Sequence, residues 1–304
     1  MGSPTLRLFI LAVALAGAVP AAAGPYVVGD RLFPATPTVD DPFVADAFEL
    51  GANTLRQRST LSDPAFRQTN FGFGAEQRLT ANLGVSVQGA YTINAVDGAP
   101  DTYGFQNFDA TLKYQLVTSD AHEFLLTLGV EREFGGTGAR RVGAEPVGST
   151  APTVYFGKGL GDLPDPLKYL RPLAVTGTAG YQFADRHSRG DDHFPDQGTF
   201  GVSVQYSLRY LQGNVEYVGL PAFVGRLTPL VEFSYATPLT RSYGTPSTGL
   251  VAPGIIYSED GIDFGIEALL PATRLSGTGV GAIALLHVPL ERLLPALGQP
   301  LFGD

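Results

Sequence analysis

Cysteine and tryptophan are absent from this chain, and its one methionine is the first residue. Without a thiol there can be no disulfide, thiolate metal site, cysteine nucleophile or lipoprotein anchor. Charge is scarce as well, at 16% of residues, and it leans acidic, with 29 Asp and Glu against 20 Lys and Arg. A nucleic-acid partner, which needs a basic stripe, is disfavoured. Also lacking, once the first 23 residues are past, is any long apolar run. The longest nearly uncharged stretch, residues 280–290, falls short of the roughly 20 residues a membrane-spanning helix needs. A chain that is 44% hydrophobic with no such helix must present its apolar side chains in another way.

That way is legible in residues 199–211, TFGVSVQYSLRYL. Phe200, Val202, Val204, Tyr206, Leu208 and Tyr210 alternate with Gly201, Ser203, Gln205, Ser207 and Arg209. A period of two is a strand signal. Aromatics at both ends of an apolar face match the girdles of a membrane barrel, whose tilted strands need about ten residues to cross. The pattern recurs in Phe108, Ala110, Leu112, Tyr114 and Leu116 against Asp109, Thr111, Lys113 and Gln115, and again in residues 123–134. Candidate strands fall at 48–57, 68–80, 83–95, 106–117, 123–134, 152–159, 172–183, 199–211, 228–239, 249–257, 262–270 and 279–288. The expected fold is all-β, a transmembrane antiparallel up-and-down barrel of about 12 strands, an even number as such barrels require.

Residues 1–23 read as a secretory signal peptide, with Arg7 ahead of an apolar core and small residues at Ala21 and Ala23. Residues 24–47, rich in Pro and Asp, form a lead segment, either exposed on the periplasmic side or inserted in the lumen. The barrel follows at 48–290 and a tail at 291–304. Connections at 96–105, 135–151, 184–198 and 240–248 are long and polar and belong outside the cell. Those near Asn82, at 118–122 and at 258–261 are tight and belong in the periplasm. The longer inner connections, 160–171 and 212–227, either hold short helices or extend the strands.

Several short segments form an ordered series of motifs along the chain. The first is Thr38-Val39-Asp40-Asp41-Pro42, followed by Phe48-Glu49-Leu50. Next come Gly157-Lys158-Gly159-Leu160-Gly161-Asp162-Leu163-Pro164 and Leu170-Arg171-Pro172. Gly219-Leu220-Pro221-Ala222-Phe223, Pro229-Leu230-Val231-Glu232-Phe233 and Gly265-Ile266-Glu267-Ala268-Leu269-Leu270-Pro271 continue the series, and Gly298-Gln299-Pro300-Leu301-Phe302 ends it. In this order the segments resemble an uncharacterised proteobacterial outer-membrane β-barrel "transporter" family related to the phenol meta-pathway degradation family. The resemblance implies a monomeric outer-membrane barrel and, through the family's name, traffic in small aromatic compounds. It supplies no catalytic residues. The tail departs from outer-membrane proteins in general, since no aromatic closes the last strand and Phe302 is the nearest candidate for an insertion signal.

Charged side chains on the polar strand faces are the lumen-lining candidates: Asp109, Lys113, Glu131, Glu133, Arg209, Glu232, Asp263 and Glu267. Acids outnumber bases six to two in that set, which would bias passage toward cations or polar neutral solutes. The alternative is a hydrated wall of paired charges in a filled barrel. Glu131 and Glu133 share a face, as acid–base chemistry requires, but a lumen wall accounts for them as well. His187, Asp191, Asp192 and His193 gather in one loop without a metal-site spacing. His287 points inward on the last strand and His122 sits in a turn, so no triad forms and no enzyme is expected. Gly277, Gly279 and Gly281 mark a barrel bend rather than a phosphate loop.

The expected function is passive passage of small molecules, aromatic or weakly polar among them, with no cofactor and no metal. The alternative is a filled-lumen structural or surface-binding protein. The expected partners are outer-membrane lipid, lipopolysaccharide, the solute and the barrel-insertion machinery, in the outer membrane of a Gram-negative bacterium.

Overall fold

The computed structural model describes residues 26–59, 64–190, 192–240, 245–294 and 297–302, so the expected leader, and Asp191 of the His-Asp loop, lie outside the described residues. Six strands carry the chain through the first half: β1 (Ala47–Gln57), β2 (Phe66–Arg78), β3 (Leu83–Val96), β4 (Phe108–Ser119), β5 (Phe124–Phe134) and β6 (Ser149–Gly159). Six more complete it: β7 (Leu173–Ala184), β8 (Asp196–Tyr206), β9 (Leu227–Thr240), β10 (Thr248–Glu259), β11 (Ile262–Pro271) and β12 (Thr278–Pro289). Each pairs antiparallel with its sequence neighbours, and β12 closes the barrel on β1, with Val288 opposite Phe48 and Ala282 opposite Thr54.

The alternation of side chains decides which way each strand faces. On β4, Leu112, Tyr114 and Leu116 stand exposed on the outside, while Asp109, Thr111, Lys113 and Gln115 are buried within. On β8, Phe200 and Val204 point out, and Ser203 and Gln205 point in. Large apolar residues outside and polar residues inside invert the arrangement of a water-soluble protein. Such a belt would drive aggregation in water and is the ordinary surface of a barrel in lipid. The fold is all-β, a closed antiparallel barrel of 12 strands of the membrane-spanning type.

Tight connections at 79–82, 120–123 and 260–261 mark one end, called here the turn end; the opposite, loop end carries 97–107, 135–148 and 185–195. The two longer turn-end connections hold short helical pieces, at Asp165–Leu170, Leu211–Val215 and Val224–Arg226. Residues 199–211 are not one strand, because β8 stops at Tyr206. The Ser207 hydroxyl accepts the Tyr210 amide at 3.1 Å and caps a helical turn at Leu208–Tyr210, a hydroxyl role that competes with strand pairing. Tyr210 is therefore buried instead of standing in a girdle. At the loop end, Gly277 and Gly279 take positive φ where β12 slips a step against β1 between Thr278 and Ala282. In the tail, the Leu301 and Phe302 amides donate to the carbonyls of Arg78 and Leu79 at 3.0 and 2.9 Å.

The lead segment is inside the barrel. Its Tyr26, Phe33, Phe43 and Val44 pack with Leu125 of β5 into an apolar cluster filling the turn half of the lumen. A two-plus-two hairpin, Val27–Val28 with Arg31–Leu32, turns on Gly29 at φ 61°. Pro34, Pro37 and Pro42 remove three amide donors that would otherwise need buried acceptors. They also narrow the unfolded ensemble of the segment.

Candidate functional site: a lumen sealed below and open above

In the turn half, wall side chains hold the lead segment through its backbone. Glu232 Oε2 on β9 accepts the amides of Thr38 and Val39 at 2.7 and 3.3 Å, and Glu267 Oε2 on β11 accepts the Thr38 hydroxyl at 2.7 Å. Asp263 accepts the Ala35 amide at 3.1 Å, and Glu76 accepts that of Ala45 at 2.9 Å. Carboxylates facing inward therefore serve as acceptors for a strand of chain that brings donors. The Tyr26 hydroxyl bonds His287 Nε2 on β12, and the Thr127 hydroxyl donates to the Pro42 carbonyl.

Three buried ion pairs add to these contacts. Lys113 Nζ lies 2.8 Å from Asp40 and 2.9 Å from the Asp41 carbonyl, over the Tyr155 ring. Arg78 meets Asp46 at 2.7 Å. Arg31 Nε donates to Glu123 at 2.7 Å, its other nitrogens reach the Pro172 and Arg171 carbonyls, and its plane lies 4.2 Å over the Tyr210 ring. Gly159 and Gly161 make room for this last cluster. A Cβ on Gly159 would come within 2.6 Å of Arg31 Cδ, and one on Gly161 within 2.7 Å of the Glu123 carboxyl carbon. Gly159→Ala is accordingly expected to push Arg31 off Glu123 and lower stability by about 1–3 kcal/mol, read by urea unfolding of the detergent-solubilised barrel.

Above the lead segment the lumen opens. A cavity of about 220 Å³ runs from Gly143 and Glu145 in the loops down to Thr38, Val39 and Asp40. Asp109, Glu131 and Glu133 face it from β4 and β5, with hydroxyls and amides of Gln182, Thr199 and Ser234 opposite. No lysine or arginine lines it among the described residues. Arg132, between the two glutamates in sequence, turns outward, forks onto Asp185 at 2.6 Å and holds that carboxyl below its ordinary range. Glu133 accepts from Asn107 at 2.7 Å and Ser149 at 3.1 Å. A second pocket of about 70 Å³, between Pro37 and β1 to β3, adjoins the first at Gln106, Asn107 and Asp109.

The sequence-derived candidates thus divide in two. Asp109, Glu131 and Glu133 line the open half; Lys113, Glu232, Asp263 and Glu267 hold the lead segment. Arg209 is corrected: it is exposed on the helical turn after β8 and does not line the lumen, because the alternation that placed it inside ends at Ser207. Glu76, Arg78 and Glu123 were missed. Glu76 and Arg78 do share the inward face of β2 with Gly72 and Gly74, a signal present in the sequence. Glu123 has the same parity as Glu131 and Glu133 in the expected strand 123–134, but it sits at positive φ, 45°, just outside β5, where it meets Arg31.

No protein-family model and no curated protein matches the chain, so the family resemblance rests on the motifs quoted above. Solved structures show likeness in architecture. An outer-membrane channel from Pseudomonas putida F1 is similar at 13% identity, over 80% of this chain and 95% of that one, with a TM-score of 0.48. The NanC porin is similar at 9% identity, over 79% and 97%, TM-score 0.48, and the KdgM porin at 10%, over 79% and 97%, TM-score 0.47.

Proposed function

We propose that the chain is an outer-membrane channel of a Gram-negative bacterium, closed at rest by its own lead segment, that passes small solutes by diffusion when that segment shifts. The turn end then faces the periplasm and the loop end the outside, following the length rule for such barrels. The observation that carries this reading is the 220 Å³ acidic cavity in the loop half, which ends on Thr38, Val39 and Asp40 instead of on the wall. A barrel that only filled its lumen would have no reason to keep a charged, unpacked vestibule above a removable floor. Passage then follows the gradient. The solute is small and polar or weakly polar, and the aromatic class implied by the family resemblance falls within it. The barrel works as a monomer in lipid and lipopolysaccharide, placed there by the insertion machinery after export.

The second reading, a filled structural or surface-binding barrel, is favoured by the three buried ion pairs, which hold the floor firmly. Planar-bilayer recording separates the two, using the intact protein beside a deletion of residues 26–46. The channel reading expects sparse openings in the intact protein and steady current in the deletion. Silence in both, with the deletion still migrating as a folded barrel on an unheated gel, would establish the second reading instead.

A further inference from the structure

Two carboxylates in the vestibule have no direct ion-pair partner among the described residues. Asp109 is only 8% exposed, faces the cavity and accepts no hydrogen bond from the described residues. Glu131 accepts none either, whereas Glu133 has Asn107 and Ser149, and Asp40 has Lys113. Asp109 pairs across the sheet with Glu133 and Glu131 with Thr111, so the Asp109 and Glu131 backbones are diagonal neighbours, about 7–8 Å apart. No group of three acids or histidines among the described residues converges closely enough to hold a metal ion. On the opposite wall Ser234, 4% exposed, also lines the cavity, and its hydroxyl has no hydrogen-bond partner among the described residues.

A site with cation acceptors on one wall, an unpartnered hydroxyl on the other and a cavity of about 220 Å³ between them selects a ligand by its two ends. An ammonium group donates in three directions and can serve both carboxylates, whereas two carboxylates without a third acidic or histidine ligand fall short of a metal ion's coordination shell. A hydroxyl at the far end can donate to or accept from Ser234. We propose that the vestibule binds a small organic ammonium ion bearing a hydroxyl at its other end, with Asp109 and Glu131 taking the ammonium and Ser234 the hydroxyl. The proposal rests on the vestibule being a solute's way in, and it names the solute class.

The test is calorimetric titration of the intact detergent-solubilised protein with tyramine, phenethylamine and 4-hydroxyphenylacetate, which share a ring and differ at their ends. Tyramine is expected to bind, phenethylamine to bind more weakly, and the anion not to bind. Asp109→Asn with Glu131→Gln is expected to weaken tyramine at least tenfold. Ser234→Ala should bring tyramine down to the phenethylamine level and leave phenethylamine unchanged. Binding of the anion as strong as that of tyramine, no tyramine binding at all, or indifference to the Asp109 and Glu131 changes in a protein of unaltered gel mobility would overturn the proposal. Because binding is read without passage, a silent barrel that binds tyramine defeats the channel reading alone, and a conducting barrel blind to tyramine defeats this one alone.

Discussion

Lys113→Met is expected to unseat the lead segment while leaving the barrel wall standing. Lys113 is buried at 1% exposure, and its ammonium is held by Asp40 and the Asp41 carbonyl, with Glu76 also within its field. Methionine keeps the length of the stem and removes the charge, leaving the buried Asp40 and Asp41 of the segment without their cation. Breaking a buried pair from one side costs about 3–5 kcal/mol, because the remaining charge is uncompensated. Since each 1.4 kcal/mol is about tenfold in a population, the released state should rise on the order of a hundredfold or more. The strands do not share this penalty, since their ladders and lipid-facing belt are untouched. Limited proteolysis of the folded protein in detergent reads the outcome, with the lead segment cut rapidly in Lys113→Met and protected in Lys113→Arg. Equal protection in wild type and Lys113→Met would show that the ion pair does not hold the segment.

Glu232→Ala carries the next largest effect and acts through hydrogen bonds instead of charge pairing. The fully buried Glu232 carboxylate is the acceptor for two consecutive amides, Thr38 and Val39, at the floor of the vestibule. Truncation strands two buried donors at about 1–3 kcal/mol each, and opening of the floor should rise at least tenfold in single-channel records. Glu232→Gln keeps a carbonyl oxygen of the same reach, so its opening frequency should stay well below that of the alanine variant. If the two variants gate alike, the acceptor role assigned to Glu232 is wrong.

These effects belong to the part of the molecule that the sequence conveyed least. The strands and their faces are legible because a period of two is a local property, and lipid outside with water or protein inside imposes it on every strand. Asp109 and Glu131 follow directly from that alternation. Glu232, Asp263 and Glu267 follow from it as inward residues, yet what they hold does not. A carboxylate on the lumen face reads the same whether it meets water, a solute or the amides of a distant segment. The excess of acids over bases was a clue, since a lumen short of cations needs donors from elsewhere, and the amides at 35–45 supply several of them. Arg209 was misplaced for the opposite reason. The alternation runs past Ser207 in sequence while the Ser207 hydroxyl turns the backbone into a helical cap, and periodicity alone cannot see a cap.

The central claim is that the floor formed by residues 38–40 moves when solute passes. A Cβ on Gly201 of β8 would stand 2.9 Å from Val39 Cγ1, close to disulfide reach. The chain has no native cysteine to interfere. The measurement is bilayer current through Val39→Cys with Gly201→Cys in the Glu232→Ala background, recorded oxidised and then after reduction in the same membrane. Current that vanishes on oxidation and returns on reduction is the predicted result. Current that persists with the disulfide formed, verified by mass after digestion, would contradict gating by the lead segment.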